Sequence, residues 1–114
     1  MWPSDSKWAP FNLSGLTQPP GTSVISVYDS SDDIGGGSTY SMLMVSLMNA
    51  DNAAYENLLR QINSKSGFVN AGAASIPGDD IRTDAFMTTG SPLIYVNLSM
   101  YEDEITISAT RSDF

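Results

Sequence analysis

Cysteine and histidine are both missing from this chain of 114 residues. Without cysteine there is no disulfide framework, no zinc–thiolate site and no thiol nucleophile. Without histidine the commonest general base and the commonest transition-metal ligand are gone as well. Basic residues are almost as scarce. Lys7, Arg60, Lys65, Arg82 and Arg111 stand against thirteen acids, for a net charge of −8. A nucleic-acid binder needs clustered cations to displace counterions from phosphate, and these five are scattered, so no nucleic-acid partner is expected. No apolar run is long enough for a membrane span, because Ser or Asn interrupts each one, and no membrane insertion is expected.

Apolar residues make up 41% of the chain and charged residues 16%. That balance belongs to a globular chain, since disorder combines low hydrophobicity with high charge. The length suits a single soluble domain with a modest core. Residues 1–21 read as an irregular arm and residues 22–114 as one α+β domain. In the arm, Ser4 or Asp5 after Trp2-Pro3 suits the cap of one short helical turn, which Pro10 limits. Trp8, Phe11, Leu13 and Leu16 are apolar anchors for laying the arm across the core.

Along the domain, Ser23–Tyr28 reads as a strand with Ile25 and Val27 on one face. Asp29 to Asp33 and Gly35-Gly36-Gly37 read as its end. Tyr40–Met48 alternates Leu43, Val45 and Leu47 with Tyr40, Met42, Met44 and Met48, so both of its faces are apolar. Asp51 is a natural N-cap for a helix that runs to Ser66. Tyr55, Leu58, Leu59 and Ile62 make one apolar stripe, Glu56 and Arg60 are a favourable i,i+4 pair, and Gly67 suits the C′ position. Four further strands follow, at Phe68–Ile76, Ile81–Thr88, Leu93–Tyr101 and Ile105–Thr110. The order ββαββββ with short links predicts an antiparallel sheet with the helix packed on one face.

Few residues suggest chemistry. The carboxylates of Asp29, Asp32 and Asp33 could gather a calcium ion in a flexible loop, although acidic turns are ordinarily just solvated and the spacing is not that of an EF-hand. Gly35-Gly36-Gly37-Ser38 lacks the Lys-Ser/Thr ending of a P-loop and joins two strands. Ser4-Asp5-Ser6-Lys7 has the Ser-x-x-Lys spacing of some serine hydrolases but none of their companion motifs. The pairs in Glu102-Asp103-Glu104 and Asp79-Asp80 sit in turns, where nothing separates two carboxyl pKa values for acid–base work. Asn12-Leu13-Ser14 and Asn97-Leu98-Ser99 match the N-glycosylation sequon. No catalytic residue and no cofactor are assigned.

The apolar surplus is more telling. If the helix covers the face of Leu43, Val45 and Leu47, a second face carries Tyr40, Met42, Met44, Met48, Tyr95 and Tyr101. Either the Trp2–Leu16 arm covers that face, or it meets a protein partner or a second copy of the chain. The expected function is therefore a non-enzymatic binding or accessory domain. The alternatives are an acidic intracellular inhibitor that engages a basic partner, and a small enzyme that depends on carboxylates.

The string Trp8-Ala9-Pro10-Phe11-Asn12-Leu13-Ser14-Gly15-Leu16-Thr17-Gln18-Pro19-Pro20-Gly21-Thr22 resembles the opening of small α+β domains in bacterial exported proteins and lipoproteins. Asn52-Ala53-Ala54-Tyr55-Glu56-Asn57-Leu58-Leu59 and Gly67-Phe68 resemble their helix and its ending. The resemblance implies an envelope-associated domain of unassigned activity, and it carries over no functional residue. Met1-Trp2-Pro3-Ser4-Asp5 has neither the basic start nor the apolar core of a signal peptide. Export is expected if Met1 stands where such a signal was removed, and a cytoplasmic location otherwise. Abundant Ser, Asn, Thr and Gly with sparse Lys favours export.

Overall fold

The computed structural model describes residues 1–35, 37–76, 81–90 and 92–113, with the backbone alone described at 33–35 and 73–76. The proposed turn carboxylates Asp79 and Asp80 lie outside the described residues. The elements are α1 (Asp5–Trp8), a 3₁₀ turn (Ala9–Phe11), β1 (Ser23–Gly35), β2 (Ser38–Met48), α2 (Asn52–Asn63), β3 (Phe68–Ile76), β4 (Ile81–Thr88), β5 (Leu93–Tyr101) and β6 (Glu104–Asp113). The fold is α+β in the expected order ββαββββ. One six-stranded sheet runs β1-β2-β6-β5-β4-β3, and every neighbouring pair is antiparallel. No described helix is long and apolar enough to cross a membrane.

Helix α2 starts where the chemistry of its cap dictates. The Asp51 carboxylate accepts the backbone N–H of Ala54 at 2.9 Å, which satisfies one of the donors that a helix start leaves unpaired. Tyr55, Leu58 and Ile62 are buried against the sheet. The helix stops at Asn63 with Ser64 as its C-cap, before the expected end at Ser66. Gly67, at φ +91°, instead makes the turn into β3, a conformation that costs glycine little. Glu56 does not serve Arg60: its carboxylate pairs with Arg82 Nη1 at 2.6 Å. Phe68 follows the helix and packs edge-on to Phe86, with ring centroids 6.4 Å apart.

Two expectations about β1 need correction. The strand does not end at Tyr28 but pairs with β2 through Asp29–Asp33 as far as Gly35. Polar residues survive there because β1 is an edge strand, where charged side chains stay solvated and discourage pairing with other chains. The two-residue alternation also breaks. The register slips between Val24 and Ser26, so Ile25 is a bulge, and Val24 shares the face of Val27 instead of opposing it.

The arm packs on the same side of the sheet as α2. Trp8, Phe11, Leu13 and Leu16 belong to one buried cluster with Leu43, Val45, Leu47, Tyr55, Leu58 and Ile62. Polar contacts pin the arm to the helix. Lys65 Nζ donates to the Ser14 carbonyl, the backbone N–H of Thr17 to Gln61 Oε1 at 2.8 Å, and Asn12 Nδ2 to the Ser66 carbonyl at 2.7 Å. Others tie it to the sheet: Arg111 Nη1 donates to the Pro10 carbonyl at 2.8 Å, and Lys7 bridges to Asp29 at 2.7 Å. Trp2 stacks on Trp8 at 5.1 Å and donates its indole N–H to the Leu16 carbonyl. Arm and helix together bury the β2, β5 and β6 side chains of one face, with Val27 on the edge strand left exposed there, and the arm does not cover the other face.

Candidate functional site

Cross-strand register sets which residues share the open face. Ser26, Ser46, Thr106, Ser99 and Thr83 form one row across β1, β2, β6, β5 and β4. Tyr28, Met44, Ser108, Asn97 and Ala85 form the next, then Ser30, Met42, Thr110, Tyr95 and Met87. Asp32, Tyr40, Ser112 and Leu93 extend a fourth row over β1, β2, β6 and β5. Between the bulges side chains alternate along each strand, so these residues point away from the helix and the arm.

All six residues expected to form a partner surface, Tyr40, Met42, Met44, Met48, Tyr95 and Tyr101, therefore lie on one face. Tyr101 is 54% exposed, and Met48 and Tyr95 are 40% exposed each. Tyr28, from a strand that looked to end there, is the most accessible of the open-face tyrosines at 58%. Tyr40, Met42 and Met44 are half-buried by their neighbours.

The face is not one apolar patch. Strand β6 inserts between β2 and β5 and brings a column of Thr106, Ser108, Thr110 and Ser112. This hydroxyl column separates the Tyr and Met of β2 from the Leu and Tyr of β5. Its groups are only lightly engaged: Ser46 and Thr106 hydroxyls lie 3.5 Å apart, and Thr110 Oγ1 reaches the Tyr95 carbonyl at 3.5 Å. Asn97 Nδ2 donates to Thr83 Oγ1 at 3.2 Å. Charge enters these rows at their two ends, with Asp32 beside Tyr40 and the exposed Glu104 beside Tyr101, while the middle of the face is uncharged.

The acidic candidates for calcium do not converge. Asp29 lies on the helix side, paired to Lys7, while Asp32 lies on the open side opposite Tyr40. The Asp33 side chain lies outside the described residues. Among the described residues no group of three or more carboxylates is placed to hold a metal ion. Glu102-Asp103 is an exposed two-residue turn, with the Asp103 carbonyl accepting the Ala50 N–H at 2.8 Å.

No local pattern signalled one charged cluster, in which Tyr55 and Asp84 are buried and Arg82 is half-buried. The Tyr55 hydroxyl donates to Asp84 Oδ2 at 2.5 Å, with the Leu98 carbonyl also within reach at 3.1 Å. Arg82 lies over the Tyr55 ring, 4.3 Å from its centroid, and approaches the Asp84 carboxylate at 3.9 Å. Burial, then the hydrogen bond to Asp84, pushes the Tyr55 phenol well above its ordinary value. A phenol held this firmly in its protonated form is a brace between helix and sheet and a poor base.

Two surface hollows flank the arm. The larger, about 440 Å³, is lined by Pro10, Asn12, Thr88 and Arg111 among others. Its guanidinium is already committed to Pro10 and Asp113, and its Asn12 amide to Ser66. The smaller, about 240 Å³, contains the Lys7–Asp29 pair. Neither holds two carboxylates, as acid–base catalysis without histidine would need. Comparison with protein-family models, with curated proteins and with solved structures found no match to this chain.

Proposed function

We propose that this chain is a non-enzymatic binding domain that engages a protein through the open face of its sheet, as an accessory domain of an exported bacterial protein. One observation carries the binding role. Helix and arm are both spent on one face, which leaves the other face with exposed Tyr28, Tyr95, Tyr101 and Met48 and, among the described residues, no element over it. Tyr and Met are enriched, and charge depleted, at the centres of protein interfaces. The exported bacterial setting is supported by composition and by the resemblance of the arm and helix. An inhibitor of a basic site needs a contiguous acidic face, whereas Asp29, Glu56 and Asp113 are already bridged to cations at 2.6 to 3.0 Å.

A photo-crosslinking residue placed at Tyr95 or Tyr101 tests the binding role. Discrete adducts in cells are expected from both positions and none from Asn63, on the outer side of α2. Equal labelling from Asn63, or no adduct from either tyrosine, refutes it.

A further inference from the structure

We infer that the occupant of the open face is a second copy of this chain, packed sheet to sheet about a two-fold axis that runs along β6; this rests on the docking role proposed above. The order of the columns points to this occupant. From Thr106 to Ser112 β6 carries hydroxyls, and the large groups beside it stand in matching rows, Tyr40 and Met42 of β2 with Leu93 and Tyr95 of β5, while Ser46 is matched by Ser99. A two-fold axis parallel to β6, lying between two facing sheets, maps β6 onto itself and exchanges β2 with β5 and β1 with β4. In a closed symmetric pair, residue i meets j and j meets i. Met42 then faces Tyr95 of the second copy, a sulfur–aromatic contact, and Tyr40 faces Leu93. Further out, the bulky Tyr28 falls opposite the small Ala85. The β6 hydroxyls meet their own kind, which suits groups that both donate and accept. Each large residue is thus set against a smaller or softer one by the same operation.

Size and charge agree with that occupant. Five strands at ~4.8 Å spacing and four rows at ~6.7 Å give a flat area of roughly 650 Å², close to the ~800 Å² per partner of a stable interface once side-chain relief is added. Within those rows Asp32, at a corner, is the one charged residue. A strongly basic partner would find carboxylates only at the ends of the face, Asp32 and, one row beyond Thr106, Glu104, whereas the uncharged middle of an identical sheet matches its own. The chain's charge of −8 instead opposes association at long range, so added salt strengthens the pair.

Sedimentation of the full chain from micromolar to near-millimolar concentration is the first test. A species of twice the 12.2 kDa chain mass is expected, with a dissociation constant that falls as NaCl rises from 20 to 500 mM. Tyr95→Arg and Thr110→Arg should each weaken the pair at least tenfold, and Asn63→Arg should leave it unchanged. In case an arginine variant fails to fold, a milder substitution gives an independent reading. The chain has no cysteine, so Ser108→Cys introduces a unique thiol near the axis. A short bismaleimide should join two Ser108→Cys chains, whose thiols face each other across the ~10 Å between packed sheets, well ahead of two Asn63→Cys chains.

A strict monomer throughout overturns the second copy as occupant, and so does a dimer that ignores both arginine variants. The docking role is judged separately: Tyr95 adducts heavier than one chain but not of dimer mass preserve it and still overturn self-association.

Discussion

Tyr55→Phe removes one oxygen atom and no ring. The cation–π contact with Arg82 and the burial of the ring against the sheet are kept, so the loss isolates a single hydrogen bond from the helix to the sheet. That bond ends on the carboxylate of Asp84, itself only 8% exposed. A hydrogen bond to a charged group contributes about 1.5–3 kcal/mol, and a buried acceptor left unsatisfied adds to its loss. The expected destabilisation is about 2 kcal/mol, seen as a urea midpoint lower by about 1 M at unchanged slope and a melting temperature lower by about 8 °C.

The pH dependence gives a sharper signature. Unfolded tyrosine ionises near pH 10, whereas in the folded chain burial and the Asp84 carboxylate keep Tyr55 protonated well beyond that. The folded chain therefore holds the extra proton above pH 10. The contribution of Tyr55 is complete below pH 10 and falls by about 1.4 kcal/mol per unit as pH rises further. Phenylalanine has no such dependence, so the gap between the two proteins should narrow by about 1 kcal/mol between pH 10 and pH 11, where unfolded tyrosine is passing through its midpoint. Double substitution with Asp84→Asn should cost less than the sum of the single changes. A loss under about 0.5 kcal/mol, or a gap indifferent to alkaline pH, would refute the assignment of this bond as a brace.

Three further outcomes are expected. Asp51→Ala deletes the α2 cap and should cost about 1 kcal/mol by urea denaturation, with Asp51→Asn retaining most of the stability. Trp8→Ala empties the site where the arm meets the core; a loss of about 3–5 kcal/mol is expected, together with faster proteolysis of the arm. Hydrogen bonds from Gly15 and Ser14 hold Asp5 below the usual carboxylate range, and the Arg111 side chain does the same for Asp113. Both contributions are present above about pH 4 and are lost as pH falls through the lowered values. Asp5→Asn and Asp113→Asn should therefore each flatten the acid limb of a stability–pH curve measured by urea midpoint.

Local chemistry announces some of this fold and is silent on the rest. The Asp51 cap, the Tyr55–Ile62 stripe and the strict alternation of Leu93–Tyr101 each need only a few neighbouring residues to be read, and each falls where those residues put it. The polar run Asp29–Asp33 looks like a turn because its pairing with β2 is satisfied by another segment. The Ile25 bulge likewise depends on the partner register, which no single strand reveals. For the open face, alternation within β2 and β5 was enough to put its tyrosines and methionines on one surface. The hydroxyl column between them depends on where β6 inserts, a matter of tertiary order. The Tyr55–Asp84 bond joins residues 29 apart, and Tyr55 by itself reads only as part of an apolar stripe.

The central place of β6 also bears on how the molecule is assembled. β1-β2 is one ribbon and β3-β4-β5 another, and among the strands only β6 joins them. The last strand in the sequence is thus the keystone of the sheet. Until it docks, β2 and β5 each present a bare inner edge, and the core between the two ribbons is unclosed. Closure between β2 and β6 pairs Leu47 with Ile105 across just over half the chain, a non-local contact of the kind that makes folding slow. A chain in which Glu104–Asp113 has not yet docked thus carries two unpaired inner edges, the feature through which β-rich chains misassemble.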